Sequence, residues 1–386
     1  MTTNPTNNAY GHFDPHAAMR AMADGDAEPL ILSWATPPAM VGLSVKNFLL
    51  KIITLGIYGF WGRTEVRHRI WSAARINAEP LQYTGTGKEL FLGFLIVLGV
   101  LLVPTFLLSL VINFAFGPKS VAAGLIQLTL YAAFFFLVGF GIHRAQRYRL
   151  SRTRWRGIRA GLEGSSWTYA WTYFWTGLLM ILTLGWASPW RATKLQGLIT
   201  NAMRFGKSRF AFDAKGGPLY GRFAVLWFSA VVISLAVIAI AAFVNFKVLG
   251  LGMPNPNIRP DMTELFTLLA VFYAVGLIGF LFYSIISAWY RAHMMNHFAR
   301  HTTFEGARFK GSATGRTLVS LAVGNYLMVL FTLGLLVPVA QARSARYLVE
   351  HLQIEGNVPL AQIQQRAADD IKRGEGLAQA FDFDAF

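Results

Sequence analysis

The sequence predicts an all-α polytopic membrane protein with parallel internal repeats and short cytoplasmic β-hairpins between its helices. Three observations predict it. Residues 91–118, 120–142, 164–190, 223–246, 265–290 and 317–342 contain no Asp, Glu, Lys or Arg. The phrase Thr-Leu-Gly recurs at Thr54-Leu55-Gly56, Thr183-Leu184-Gly185 and Thr332-Leu333-Gly334, each time closing an apolar stretch and opening a basic one. Gly- or Asn-bearing turns between short alternating runs recur in the basic segments. The composition agrees: 54% of the 386 residues are hydrophobic and only 14% charged, and the mean hydropathy is +0.42. Soluble domains carry roughly 25% charged residues.

The long charge-free runs are the first element. Stretches about 91–116, 121–142, 223–246 and 264–289 are long enough to cross hydrocarbon as helices. They form two pairs, joined by Gly117-Pro118 in one case and by a Pro-rich loop over 247–263 in the other. Both joints are poor in positive charge and are therefore placed outside. Of the 35 Lys and Arg, 29 fall in 62–90, 143–170, 190–222, 290–317 and 340–386. That is the positive-inside pattern, and it puts both termini in the cytoplasm. The net charge of +16 thus reflects topology and contact with anionic lipid; no nucleic-acid-binding module accompanies it.

The shorter apolar segments, about 42–60, 171–189 and 318–339, have basic sequence on both sides. Crossing would carry positive flanks outward, so re-entrant or interfacial segments broken near the Thr-Leu-Gly are expected. Simple crossing with a weak charge bias stays open. The repeat extends beyond its tripeptide. Trp61 and Trp190 occupy the same offset, as do Pro189 and Pro338. Shifts of 129 and 149 residues superpose Tyr83 on Phe212 and Gly157 on Gly306.

Hairpins follow from turns at Asn77-Ala78, Arg156-Gly157, Gly206-Lys207, Glu305-Gly306 and Gly356. A lone hairpin is marginal in water. The five are expected either to combine into a small sheet under the membrane or to lie on the inner leaflet. The resulting domain plan is a disordered tail over 1–30, a membrane domain over 31–358 and an acidic tail over 359–386. The membrane domain divides into units of about 31–142, 150–290 and 300–358.

The chain resembles the YjgN-like family of bacterial inner-membrane proteins, a family of unknown function. The resemblance lies in Asn47-Phe48-Leu49 leading to Thr54-Leu55-Gly56-Ile57-Tyr58 and Trp61. Tyr83-Thr84-Gly85-Thr86-Gly87-Lys88-Glu89-Leu90 and Phe309-Lys310-Gly311-Ser312 add to it. It covers about 30–358 and departs at Pro37-Pro38 and Val337-Pro338-Val339. It implies residence in the bacterial inner membrane and assigns no catalytic residue.

The candidate site residues are few. Arg144, Arg147, Arg149, Arg152, Arg154 and Arg156, interleaved by Trp155, form a cluster suited to anionic lipid head groups or another phosphate-bearing ligand. The same charges also serve as a topogenic flank. His293, His297 and His301 are spaced to share a helical face and are weak metal candidates. A helix terminus that favours His explains them equally well. Trp167, Tyr169, Trp171, Tyr173 and Trp175 alternate as in a strand, yet their position indicates an interfacial belt. No carboxylate lies within a run, which disfavours a proton-coupled pump. There is no cysteine and no phosphate-binding or dinucleotide fingerprint, so no cofactor is expected. His143 and His293 are the only groups placed for acid–base work.

The expectation is therefore a non-enzymatic membrane protein. It would bind anionic lipid head groups or pass a small anionic or lipidic solute. A scaffold recruiting a partner through its hairpins is the alternative, and a lipid-modifying enzyme ranks last.

Overall fold

A computed structural model describes residues 27–117, 120–247, 262–360 and 363. Most of this is helix. Four helices are long and apolar enough to cross a membrane: α3 (Gly87–Phe116), α4 (Val121–Ser151), α7 (Tyr220–Lys247) and α8 (Met262–Arg300). Each has a local cause. The Thr86 hydroxyl caps α3 by accepting the Glu89 N–H, while the Glu89 carboxylate accepts the Thr86 N–H. Pro104 lacks an amide hydrogen, and the turn before it widens into a π-type turn over Leu98–Leu102.

The long helices pair as α3 with α4 and α7 with α8. Ser109 donates to Gln127 Oε1 across the first pair at 2.8 Å. In the second pair, Gly279 lets Ile233 approach so closely that a Cβ there would lie 3.1 Å from it. The outward faces carry Phe106, Phe114, Phe228, Phe272 and Phe282, all exposed within the chain. Apolar area on this scale needs lipid as its solvent. The chain is a membrane protein.

The remaining helices form three hairpins. Hairpin A is α1 (Met40–Ile53) with α2 (Gly59–Ala73). Hairpin B is α5 (Ser166–Leu182) with α6 (Ser188–Thr200). Hairpin C is α9 (Gly315–Phe331) with α10 (Val337–Glu350). Each turn is a Thr-Leu-Gly, so each short apolar segment is broken where the sequence indicated. Hairpin B packs on α4 through α5, hairpin C packs on α8 through α9, and α10 touches α1.

An all-α description is incorrect, because the basic segments build a substantial sheet. Eight strands follow one another in an antiparallel meander. They are β5 (Gln82–Tyr83), β6 (Thr153–Trp155), β7 (Ile158–Leu162), β8 (Met203–Phe205), β9 (Ser208–Phe212), β10 (Thr302–Phe304), β11 (Ala307–Gly311) and β12 (Leu352–Glu355). Three more, β2 (Leu32–Trp34), β3 (Ala74–Ile76) and β4 (Glu79–Pro80), pair in order. Finally β1 (Glu28–Pro29) pairs with β13 (Asn357–Val358).

The chain links these sheets: Leu81 joins β4 to β5, Gly356 joins β12 to β13, and Leu30-Ile31 joins β1 to β2. Strand β12 also touches β2. The strands thus close into a ring around one apolar core of Leu30, Trp155, Phe304, Ala307, Val358 and Ile363. Pairing within the ring covers most of the edges that isolated hairpins would leave, and chain links rather than ladder bonds carry it from β4 to β5 and from β12 to β13. The turns suit it: Asn77 and Ala78 both have positive φ, as do Arg156 with Gly157 and Glu305 with Gly306, the geometry of tight two-residue turns.

The ring extends into both expected tails. Glu28–Leu30 fall in the segment expected to be a tail over 1–30, yet they belong to the ring, and Leu360 and Ile363 pack against its core. The rest of both tails, Lys119 and most of the loop over 247–263 lie outside the described residues.

One topological fact organises the molecule. Each hairpin leaves a ring strand and returns to one: β2 to β3 for A, β7 to β8 for B, and β11 to β12 for C. The long pairs do the same, leaving β5 and β9 and returning at β6 and β10.

Candidate hairpin site

The three turns share one set of bonds. Leu55, Leu184 and Leu333 each have φ 49°, and the glycines that follow have φ 94°, 87° and 84°. Only the left-handed region allows the chain to reverse here, and glycine occupies it without strain. The Gly56, Gly185 and Gly334 N–H groups reach back to the carbonyls of Lys51, Met180 and Val329.

Each threonine serves both arms. Thr54 Oγ1 donates to the Leu50 carbonyl at 2.6 Å and accepts the Tyr58 N–H at 2.9 Å. Thr183 links Leu179 to Ala187 in the same way, and Thr332 links Met328 to Leu336. Farther from the turn, Asn47 donates to the Gly62 carbonyl and Asn325 to the Ala340 carbonyl. At the matching offset in hairpin B, Arg191 Nε donates to Thr176 Oγ1 at 3.2 Å.

The tips are apolar and bare. Leu55 is 94% exposed, Leu184 78% and Leu333 85%. Ile53, Leu182 and Phe331 stand bare beside them. Tip B is also held to α7, where Trp227 Nε1 donates to the Leu184 carbonyl at 2.9 Å.

The arms differ at one pair of matching offsets from the threonines. In hairpin A these positions hold Lys46 and Glu65, ion-paired at 3.0 Å. That bond, its largest cause, raises the pKa of the exposed Lys46. In hairpin C they hold Gly324 and Arg343, and the guanidinium packs so close to the glycine that a Cβ there would lie 3.3 Å from it. In hairpin B they hold Trp175 and Lys194, which line an open groove of about 420 Å³ with Trp171, Leu179 and Trp190. Lys194 sits over the Trp190 ring, 5.0 Å from its centroid.

The aromatic run on α5 is helical. Residues 167, 171 and 175 lie along one face, where the Trp171 and Trp175 rings stack 6.3 Å apart and Trp167 packs on Phe136 and Phe140 of α4. Tyr169 is buried on another face beside His143 of α4. A strand period and a helical i, i+4 stripe coincide in this stretch.

The Arg cluster does not converge on one site. Trp155, expected at a lipid-facing surface, is 4% exposed and belongs to the ring core beside Phe205. Arg152 pairs with Glu89 at 2.8 Å, and Glu89 also accepts the Tyr148 hydroxyl. Arg156 pairs with Glu79 at 2.9 Å. Arg147 donates to the Gly164 carbonyl, and Arg144 lies over the Phe140 ring. Arg154 sits on β6 across from Gln82 on one side and Arg159 on the other. Arg149 lies in the last turn of α4.

The three histidines share a face, as their spacing requires, but each has its own partner. His293 meets the Arg222 guanidinium, His297 the Lys215 carbonyl at 3.0 Å, and His301 the Asp213 carboxylate at 2.9 Å. Among the described residues no three His, Asp or Glu converge as metal ligands.

Sequence reading missed the Lys46–Glu65 pair, the Glu89–Tyr148–Arg152 network and the Trp175–Lys194 groove. Aligning the three threonines and comparing equal offsets would have found the first and third.

Comparison with known proteins bears on the family alone. One relative, "Inner membrane protein YjgN" of Salmonella typhimurium strain LT2, is 28% identical over 130 residues. The matched part covers 33% of this chain and 30% of that relative, so the chain spans under a third of the curated relative it matches. No solved structure matches. The family described as "Bacterial protein of unknown function (DUF898)" matches residues 38–380. The chain belongs to this YjgN-like DUF898 family.

Proposed function

We propose that the protein is a non-enzymatic component of the bacterial inner membrane that engages the cytoplasmic leaflet through three re-entrant hairpins. Internal units in parallel orientation set the hairpins side by side, and basic flanks hold anionic head groups around them. The observation that carries this reading is the topology: both ends of every hairpin join a single strand ring while the tips are bare leucine. A ring lies on one side of the membrane. Its hairpins must then enter and leave from that side, and their apolar tips find a suitable solvent only in lipid.

Arms of 13 to 17 residues, at about 1.5 Å per residue, reach partway through a core about 30 Å thick. The positive flanks favour a ring, and with it both termini, on the cytoplasmic side. The name of the Salmonella relative supports the choice of membrane. The scaffold alternative loses its docking edge, because β8 and β9 have strand partners on both sides.

The absence of native cysteine makes the test direct. Single cysteines at Ser72, Ala214 and Ser312 should resist a membrane-impermeant thiol reagent on intact cells and react after permeabilisation. Cysteines at Leu55, Leu184 and Leu333 should resist it in both states. Labelling of Ser72 or Ala214 on intact cells would overturn the reading.

A further inference from the structure

The three hairpins are alike in their turns and differ in charge at one slot between the arms. In A a carboxylate neutralises the lysine of the slot, and in C an arginine packs against bare glycine backbone. In B a lysine stands among three tryptophans with no acidic partner among the described residues. We propose that this slot, bounded by Trp171, Trp175, Leu179, Trp190 and Lys194, binds one molecule of an anionic phospholipid. The site rests on the proposed re-entry of the hairpins, which brings it to the level of the cytoplasmic leaflet.

The chemistry varies along the slot in the order such a ligand requires. Trp175 and Lys194 face each other at mid-height on the two arms. Toward the tip the lining is Leu179 and the Trp190 ring, suited to an acyl chain. Toward the strand ring a second groove of about 430 Å³ begins at the same Lys194 and continues past Thr193 and Asn201, suited to a polar head group. No carboxylate lines either groove. The ammonium therefore lies where the phosphate of an inner-leaflet lipid would sit, and a lysine near an anionic surface favours that charge. Tryptophan supplies a rigid apolar wall with a polar edge, as at other membrane interfaces.

Arg191 keeps the slot open. Its guanidinium lies 4.5 Å from the Tyr173 ring centroid and its Nε donates to Thr176 at the groove wall, so it ties the two arms together beside the groove. Trp171 and Trp175 stack on each other and do not fill the space between the arms.

The test uses the full chain in phosphatidylcholine nanodiscs doped with a phosphatidylglycerol that carries a diazirine on its acyl chain. After irradiation the adducts are mapped by peptide mass spectrometry. We expect label concentrated on 171–190, reduced about fivefold in Lys194→Ala, kept in Lys194→Arg and unaffected in Lys215→Ala. Trp175→Ala should also lose it, which guards against a fault peculiar to the lysine variant.

Equal labelling by a diazirine phosphatidylcholine, or labelling indifferent to both Lys194→Ala and Trp175→Ala, would overturn the site. Full displacement by inorganic phosphate would identify a free anion as the occupant and overturn the lipid. Label at Leu182–Leu184 with either lipid reads re-entry alone. Its loss would defeat the proposed topology, whereas loss confined to the groove would defeat only the site.

Discussion

Glu28 and Val358 face each other across an antiparallel pair, so residues from opposite ends of the membrane domain close the same ring. Val358 is fully buried there, against a core drawn from eight other strands and the loops between them. Ring closure therefore depends on a two-residue strand held more by its apolar side chain than by its hydrogen bonds. Val358→Asp should cost about 3 kcal/mol or more, because a carboxylate in that core has no counter-charge. Glu28→Ala, which removes a long, exposed ion pair with Arg156 at 3.8 Å, should cost about 0.5 kcal/mol or less. Thermal unfolding in detergent should separate the two clearly.

The threonine of each turn joins two helices through one hydroxyl. Thr183→Val keeps the shape, removes both bonds and leaves the Leu179 carbonyl and the Ala187 N–H without that partner. The expected loss is about 1–2 kcal/mol, with Thr183→Ser close to the parent. Gly185→Ala forces a side chain into φ 87° and should cost about 1–2 kcal/mol by a separate route. Hydrogen exchange at the Gly185 and Ala187 amides gives the local reading: protection should fall in Thr183→Val and persist in Thr183→Ser.

Glu89 joins the cap of α3 to the end of α4. It accepts from Tyr148 at 2.8 Å and from Arg152 at 2.8 Å while completing the capping box with Thr86. Replacing it strands a largely covered arginine, 19% exposed. Glu89→Leu should lower stability by about 2–3 kcal/mol, and Glu89→Gln by roughly half as much, since the amide oxygen still accepts. Equal losses in the two variants, measured by chemical denaturation in detergent, would show that charge contributes little here.

Much of this architecture is legible in the sequence. Charge-free runs mark the long helices, because a bilayer excludes charge far more strictly than a protein core does. Thr-Leu-Gly marks the hairpin turns, because a left-handed reversal needs glycine at its end. Positive-φ pairs such as Arg156-Gly157 mark the strand turns. What is not legible is assembly. Strands of two to five residues, such as Glu28–Pro29 and Gln82–Tyr83, carry almost no pattern of their own. Their partners lie far away in sequence, so ring closure appears only in space. The place of Trp155 is hidden for a related reason: in sequence it reads as one aromatic among six arginines, but alternation along β6 turns it inward while Arg154 takes the other face and Arg156 stands in the turn that follows. The groove of hairpin B depends on Trp175 and Lys194 in separate arms, and only their match to Lys46 and Glu65 about the repeated threonine links them.

The bare tips give the sharpest test of depth. A leucine in water can become aspartate at little cost, whereas a charge at the centre of a membrane helix costs about 2.5–3.5 kcal/mol. If the tips sit in hydrocarbon, Leu55→Asp, Leu184→Asp and Leu333→Asp should each destabilise the protein by about 1–3 kcal/mol in lipid nanodiscs, the shortfall reflecting partial depth. In a short-chain detergent, where water reaches the tip easily, the same variants should approach the parent. Tip B should suffer most, because Trp227 fixes the Leu184 backbone and blocks escape toward the interface. The measurement is the difference in unfolding midpoint between the two solvents for each variant. A tip whose charge is tolerated equally in both lies outside the hydrocarbon, and the hairpin that carries it rests on the membrane surface.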